Sequence, residues 1–165
     1  MAERSIVLPQ GDIEDFFKSK INTYIDEIKG DETALWGDMT VHHMLEHLLF
    51  PLDFAITDSK LIIFTPEEQL PKLNAFLHSD LGLIKNFKTP LLPKDKLVPL
   101  QQAQLEDAKK ILKERIVLFL ESINKSGFTS KVHPIFGILN KEEWLSFQYK
   151  HFTHHFSQFG ILFQG

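Results

Sequence analysis

Six of the eight histidines in this 165-residue chain fall in two tight groups, His42, His43 and His47 in one and His151, His154 and His155 in the other. Only His78 and His133 stand apart. Imidazole exchanges protons near neutral pH and is the commonest nitrogen ligand of transition metals, so grouping of this kind points to metal or acid–base chemistry. The His151-x-x-x-His155 spacing sets two rings one helical turn apart, where both can direct a nitrogen at one ion. The chain has no cysteine. Disulfides, thiolate metal sites and a catalytic thiol are thereby removed, and any site must be built from nitrogen and oxygen.

A helical wheel sorts the rings. With Trp144 as zero and about 100° per residue, Leu162 falls near 0°, His151 at about −20° and His155 at about +20°. Glu142, Ser146, Lys150, Thr153 and Ser157 take the opposite side, which the pattern assigns to solvent. Phe152, Phe156 and Phe163 border the histidines on one edge, and His154, Phe147 and Ile161 on the other. On the earlier helix His47 lies between Pro51 and Phe54 in projection, within reach of a neighbouring helix. His43 is about 40° away and one turn earlier, placed to support the site or substitute for a ligand, while His42 faces the polar side. Glu46 and Asp53 project about 100° or more from His47 and are poor ligands beside it. Pro51 deprives the carbonyl of residue 47 of its helical donor and presses its ring against it, which predicts a kink at His47. Ordinary hydrogen-bonded core histidines are the competing reading, and the spacing alone does not separate the two.

Four segments of helical periodicity position these residues. The first runs from about Asp12 to Lys29, with Asp12 as cap, Ile13, Phe17, Ile21, Tyr24 and Ile28 as its stripe, and Gly30 beyond its end. The second starts at the N-cap Thr40, with Met39 and Met44 spaced as a hydrophobic staple, and ends near Thr57. The third spans about Gln101 to Asn124, with Leu105, Ala108, Leu112, Phe119 and Ile123 on one stripe and Gly127 after it. The fourth opens at Asn140, which has capping-box spacing to Glu143, and continues to about Leu162. Residues 58–99 hold five of the eight prolines and one short helical stretch, about Pro66 to Phe76, and read as a crossover lying along the bundle. The expectation is one all-α domain over residues 1–165, a four-helix bundle with a long second-to-third connection.

Composition narrows the partners. The net charge is −4, from 18 Lys+Arg against 22 Asp+Glu. This argues against nucleic acid, whose binding relies on clustered basic residues. Lys85, Lys88, Lys94 and Lys96 form only a loose basic cluster among prolines. No apolar run approaches the roughly 20 residues of a membrane helix, and the N-terminal MAERSIVLPQ lacks the features of a signal peptide, so a cytoplasmic protein is expected. Phenylalanine supplies 15 of the 19 aromatic residues, and at helical spacing it reads as core.

Three stretches carry a family likeness. Trp36-Gly37-Asp38-Met39-Thr40 leads to Met44-Leu45-Glu46-His47-Leu48. His133-Pro134-Ile135-Phe136-Gly137-Ile138-Leu139 precedes Glu143-Trp144. Lys150-His151-Phe152-Thr153-His154-His155-Phe156-Ser157-Gln158-Phe159-Gly160 closes the set. Together they resemble the DinB/YfiT-like superfamily of metalloenzymes, most closely its uncharacterised branch with His-Pro-x-Phe-Gly and His-His-x-x-Gln-Phe signatures. The resemblance implies a four-helix bundle, commonly dimeric, with a divalent metal held by His47, His151 and His155. Zinc is expected first, with nickel or iron as alternatives. It implies a small-molecule substrate, in characterised members a low-molecular-weight thiol in transferase or isomerase reactions. His154 and His43 are then candidates for proton transfer and Gln158 for orienting a bound molecule; metal–water hydrolysis and a non-catalytic binding module are the alternatives. A cysteine-free chain fits a thiol supplied from outside.

Overall fold

The computed structural model describes residues 2–5, 12–58 and 60–163. Met1, residues 6–11, Ser59 and the last two residues lie outside it, and with them most of the N-terminal stretch read above; so does the Phe163 side chain. Among the described residues, five helices and a two-stranded antiparallel sheet make up the fold, which corrects the expected all-α four-helix bundle. Among the described residues no helix is long and apolar enough to cross a membrane.

Helix α1 covers residues 13–27 as Ile13–Asp15, a π-helical turn Phe16–Lys20, and Ile21–Glu27. Asp12 caps it, its carboxylate accepting from the Asp15 amide at 3.2 Å. The wider turn brings two consecutive aromatics to the core side, a placement a regular α-helix separates by about 100°. Phe16 and Phe17 meet edge to face at 5.2 Å, then pack on Tyr149 and Phe152 respectively. Past the helix end Gly30 has φ +101°, the left-handed conformation expected of a glycine there.

Helix α2 covers residues 41–56 in two pieces, Val41–His47 and Leu49–Ile56. Thr40 caps the first, its hydroxyl accepting from the His43 amide at 3.1 Å. The interruption at Leu48 falls where Pro51 cannot donate to the carbonyl of residue 47. Within the crossover, a 3-10 turn Glu67–Gln69 leads into α3, Leu70–Leu77. Helix α4, Leu105–Asn124, starts four residues later than its periodicity suggested and packs its buried face, Ala108, Leu112, Ile116, Phe119 and Ile123, against both pieces of α2. Strands β1, Lys131–His133, and β2, Gly137–Leu139, form a hairpin in which His133 pairs with Gly137. Three-residue strands carry too little alternation to be read from sequence.

Helix α5, Lys141–Gln158, is the centre of the molecule. Its capping box is complete: Asn140 accepts from the Glu143 amide at 2.9 Å and Glu143 accepts from the Asn140 amide at 3.0 Å. Every residue from Glu143 to Gln158 is buried, including the side assigned to solvent. The crossover supplies the cover and the hydrogen bonds. The Ser146 hydroxyl donates to the Leu77 carbonyl. The Lys150 ammonium, fully buried, donates to the carbonyls of Ser79 at 2.6 Å and Leu81 at 2.7 Å, and stands 4.8 Å from the centre of the Phe76 ring. Thr153 and Ser157 turn their hydroxyls back onto carbonyls of their own helix. A short N-terminal segment seals the same side, with the Ser5 amide donating to Leu83 and the Lys85 amide to Glu3.

Candidate metal centre

Two helices bring three imidazoles together. His151 and His155 project from one face of α5, and His47 arrives from α2 at the last residue before that helix is interrupted. One ring nitrogen of each lies within 4.8 Å of the others. The Nε2 atoms of His47 and His151 are 3.0 Å apart, and ring centres are separated by 5.0 Å (His47–His151), 4.6 Å (His47–His155) and 4.8 Å (His151–His155). A tetrahedral zinc with bonds of about 2.05 Å holds its nitrogens about 3.3 Å apart, so the widest pair needs to close by only about 1.5 Å.

Two of the rings are supported from outside the cluster, His155 by a hydrogen bond and His151 by stacking. The His155 Nδ1 lies 2.8 Å from the Gln158 amide oxygen, and the Gln158 amide nitrogen donates to the Trp36 carbonyl at 2.8 Å. An acceptor at Nδ1 fixes the proton there and turns the Nε2 lone pair into the cluster. The Leu35 amide donates to the Gln158 carbonyl at 2.7 Å, tying the 30s loop to the end of α5. Phe147 stacks on His151 with centres 5.4 Å apart and planes 20° from parallel, and is itself packed by His133 at 4.4 Å and Phe136 at 5.2 Å.

Burial sets the protonation. Desolvation, followed by repulsion from neighbouring histidines, pushes His47 and His151 well below the usual imidazole range. Desolvation brings His155 down to about 4, opposed by its bond to Gln158. All three rings are therefore neutral at physiological pH, the form that ligates a metal. Among the described residues the cluster contains no carboxylate. Glu46, next to His47, is occupied elsewhere, accepting the amides of Gln101 and Gln102 at 2.8 Å each, and Asp53 is paired with Arg115. A donor set of three neutral nitrogens fits a divalent transition ion.

The other sequence candidates are placed differently. His154 is buried beside the cluster, its ring edge-on to Trp36 at 5.6 Å and to His155 at 4.9 Å, and its Nδ1 has no hydrogen-bond partner. Burial brings it down to about 3. His43 turns back on its own cap, with Nδ1 2.6 Å from the Thr40 hydroxyl, and is not one of the three clustered rings. His42, assigned to solvent, is half-buried 3.5 Å from Glu46. Gln158 addresses the back of His155. His133 accepts from the amides of Ile135 and Phe136 at 3.0 and 3.2 Å and so organises the hairpin turn. Trp36 is capped by the Lys85 ammonium 4.4 Å from its ring centre. The supporting role of Phe147 went unread from sequence, where it was only an edge residue. The groove between α1 and α4, of about 370 Å3 and lined by Phe17, Ile116, Val117 and Leu120, contains none of the histidines.

A family model described as a protein of unknown function (DUF1569) matches residues 88–160. That span is less than half of the chain and carries the hairpin, His151, His155 and Gln158, but not His47. No curated protein and no solved structure matches the chain.

Proposed function

We propose that His47, His151 and His155 hold one divalent ion, zinc before nickel or iron, and that the protein is a metal-dependent enzyme of the DinB/YfiT-like superfamily acting on a small molecule. The observation that carries this reading is the convergence of three neutral imidazoles from two helices onto one point, with no carboxylate among them. When bound, an ion with three protein ligands keeps a further position for water or a thiol and makes either a nucleophile near neutral pH. The chain's own residues prepare the position: burial keeps the rings unprotonated and Gln158 sets the tautomer of His155.

Transfer of a low-molecular-weight thiol to an electrophile is the specific reaction proposed. A cysteine-free chain and the lack of a carboxylate base in the cluster support a nucleophile brought in from outside. A homodimer belongs to the same family reading. Protein purified without a metal-affinity step and loaded with zinc is incubated with electrophiles, with and without a small thiol. Consumption only in the presence of thiol is the expected result. Consumption without thiol replaces the reading with metal–water hydrolysis, and no consumption leaves a metal-binding module.

A further inference from the structure

We infer that Gln148 is a positioning residue for His151, its amide oxygen accepting from His151 Nδ1–H across one buried water at most. The inference rests on the assignment of His151 as a ligand. Of the two ligands on α5, His155 has its back nitrogen bonded to Gln158, three residues later. His151 has a buried Nδ1 without a partner among the described residues. If its Nε2 faces the site, Nδ1 carries the proton, and a buried N–H next to a metal requires an acceptor.

Gln148 lies three residues before His151 and about 60° from it around the helix, on the face that also carries Trp144. It has no exposed surface, and neither its amide oxygen nor its amide nitrogen has a partner among the described residues. Side chains on a helix lean toward its N-terminus, so the His151 ring lies over the turn that contains Gln148. The Trp144 Nε1, one turn earlier and also buried, is unpartnered as well. Indole offers only a donor and His151 in this tautomer only a donor at its back nitrogen, whereas the amide of Gln148 supplies an acceptor. A stripe with complementary unfilled donors and acceptors is where a buried water with two to four partners resides. The site is thus braced by glutamine at both ends, Gln148 behind His151 and Gln158 behind His155. With the proton of His151 on Nδ1, its Nε2 is the acceptor in the 3.0 Å contact with His47 Nε2.

Gln148→Leu tests this, since it removes both polar atoms at similar volume and leaves nothing unsatisfied at position 148. Zinc affinity, measured by competition with a chromophoric chelator, is expected to fall about 10- to 100-fold. The melting temperature of the chelated protein is expected to hold. In that same chelated protein, long-range 1H–15N spectra should show His151 losing its Nδ1–H tautomer. Gln148→Glu keeps an acceptor oxygen and should bind zinc within about threefold of the parent. Unchanged affinity together with an unchanged tautomer in Gln148→Leu overturns the assignment, as does Gln148→Glu binding as weakly as Gln148→Leu. If the parent binds no zinc, the metal reading fails, while the tautomer of His151 still decides the role of Gln148.

Discussion

His47→Ala is the sharpest perturbation of the cluster. His47 is half-buried, whereas His151 and His155 are buried in the central helix, so truncating His47 removes a ligand with the smallest loss of packing. The remaining pair, His151 and His155, supplies two nitrogens, too few to hold an ion tightly. Zinc at one hundred times its dissociation constant stabilises a one-site protein by about 2.7 kcal/mol. For a chain of this length each kcal/mol raises the melting temperature by about 2–4 °C. The parent should therefore gain about 5–11 °C on zinc addition. His47→Ala should gain less than about 1 °C at the same zinc concentration. Scanning calorimetry at pH 7.5, where burial keeps all three rings neutral, gives both numbers, with chelated samples as the baseline. An equal shift in parent and variant, or none in the parent, refutes the assignment of the three histidines as ligands.

Gln158→Leu should weaken zinc binding about 10- to 100-fold by chelator competition, because His155 loses the acceptor that fixes its tautomer; undiminished affinity contradicts that role. Acid should destabilise the chelated protein in part through His133, which burial holds down to about 3 against an unfolded value near 6.5. Its contribution is complete above about pH 6.5 and is lost as the pH falls toward 3, at up to about 1.4 kcal/mol per unit, so urea titrations of His133→Asn should show the shallower slope. Lys150→Met leaves the carbonyls of Ser79 and Leu81 without their buried donor and should cost about 1–3 kcal/mol by urea denaturation; an unchanged midpoint means the ammonium does not secure that segment.

Local signals were legible where one residue type answers one local demand. Asp12, Thr40 and Asn140 cap the helices they were expected to cap, and the interruption of α2 follows from Pro51. The inward placement of His151 and His155 followed from angular position alone, whereas the wheel put His47 only within reach of a neighbouring helix and its grouping with the other two came from the family likeness. The polar side of α5 was misread for a physical reason. Serine, threonine and lysine mark solvent only when no other backbone offers them partners, and here residues 77–81 do so. Nothing in a wheel reveals that a proline-rich connection will present its carbonyls to a lysine 70 residues further on. The π turn of α1 is equally hidden, since adjacent phenylalanines read as one inside and one on the edge. In the hairpin, the stabilising contact is a histidine ring accepting two amides, which alternation patterns do not encode.

The burial of α5 around its whole girth makes the cluster mechanically lopsided. Two imidazoles are fixed to a rod clamped on every side, while the third rides on a helix that breaks one residue beyond it. Amide exchange should accordingly be slowest along α5 and faster around Leu48, where the ladder of α2 is broken.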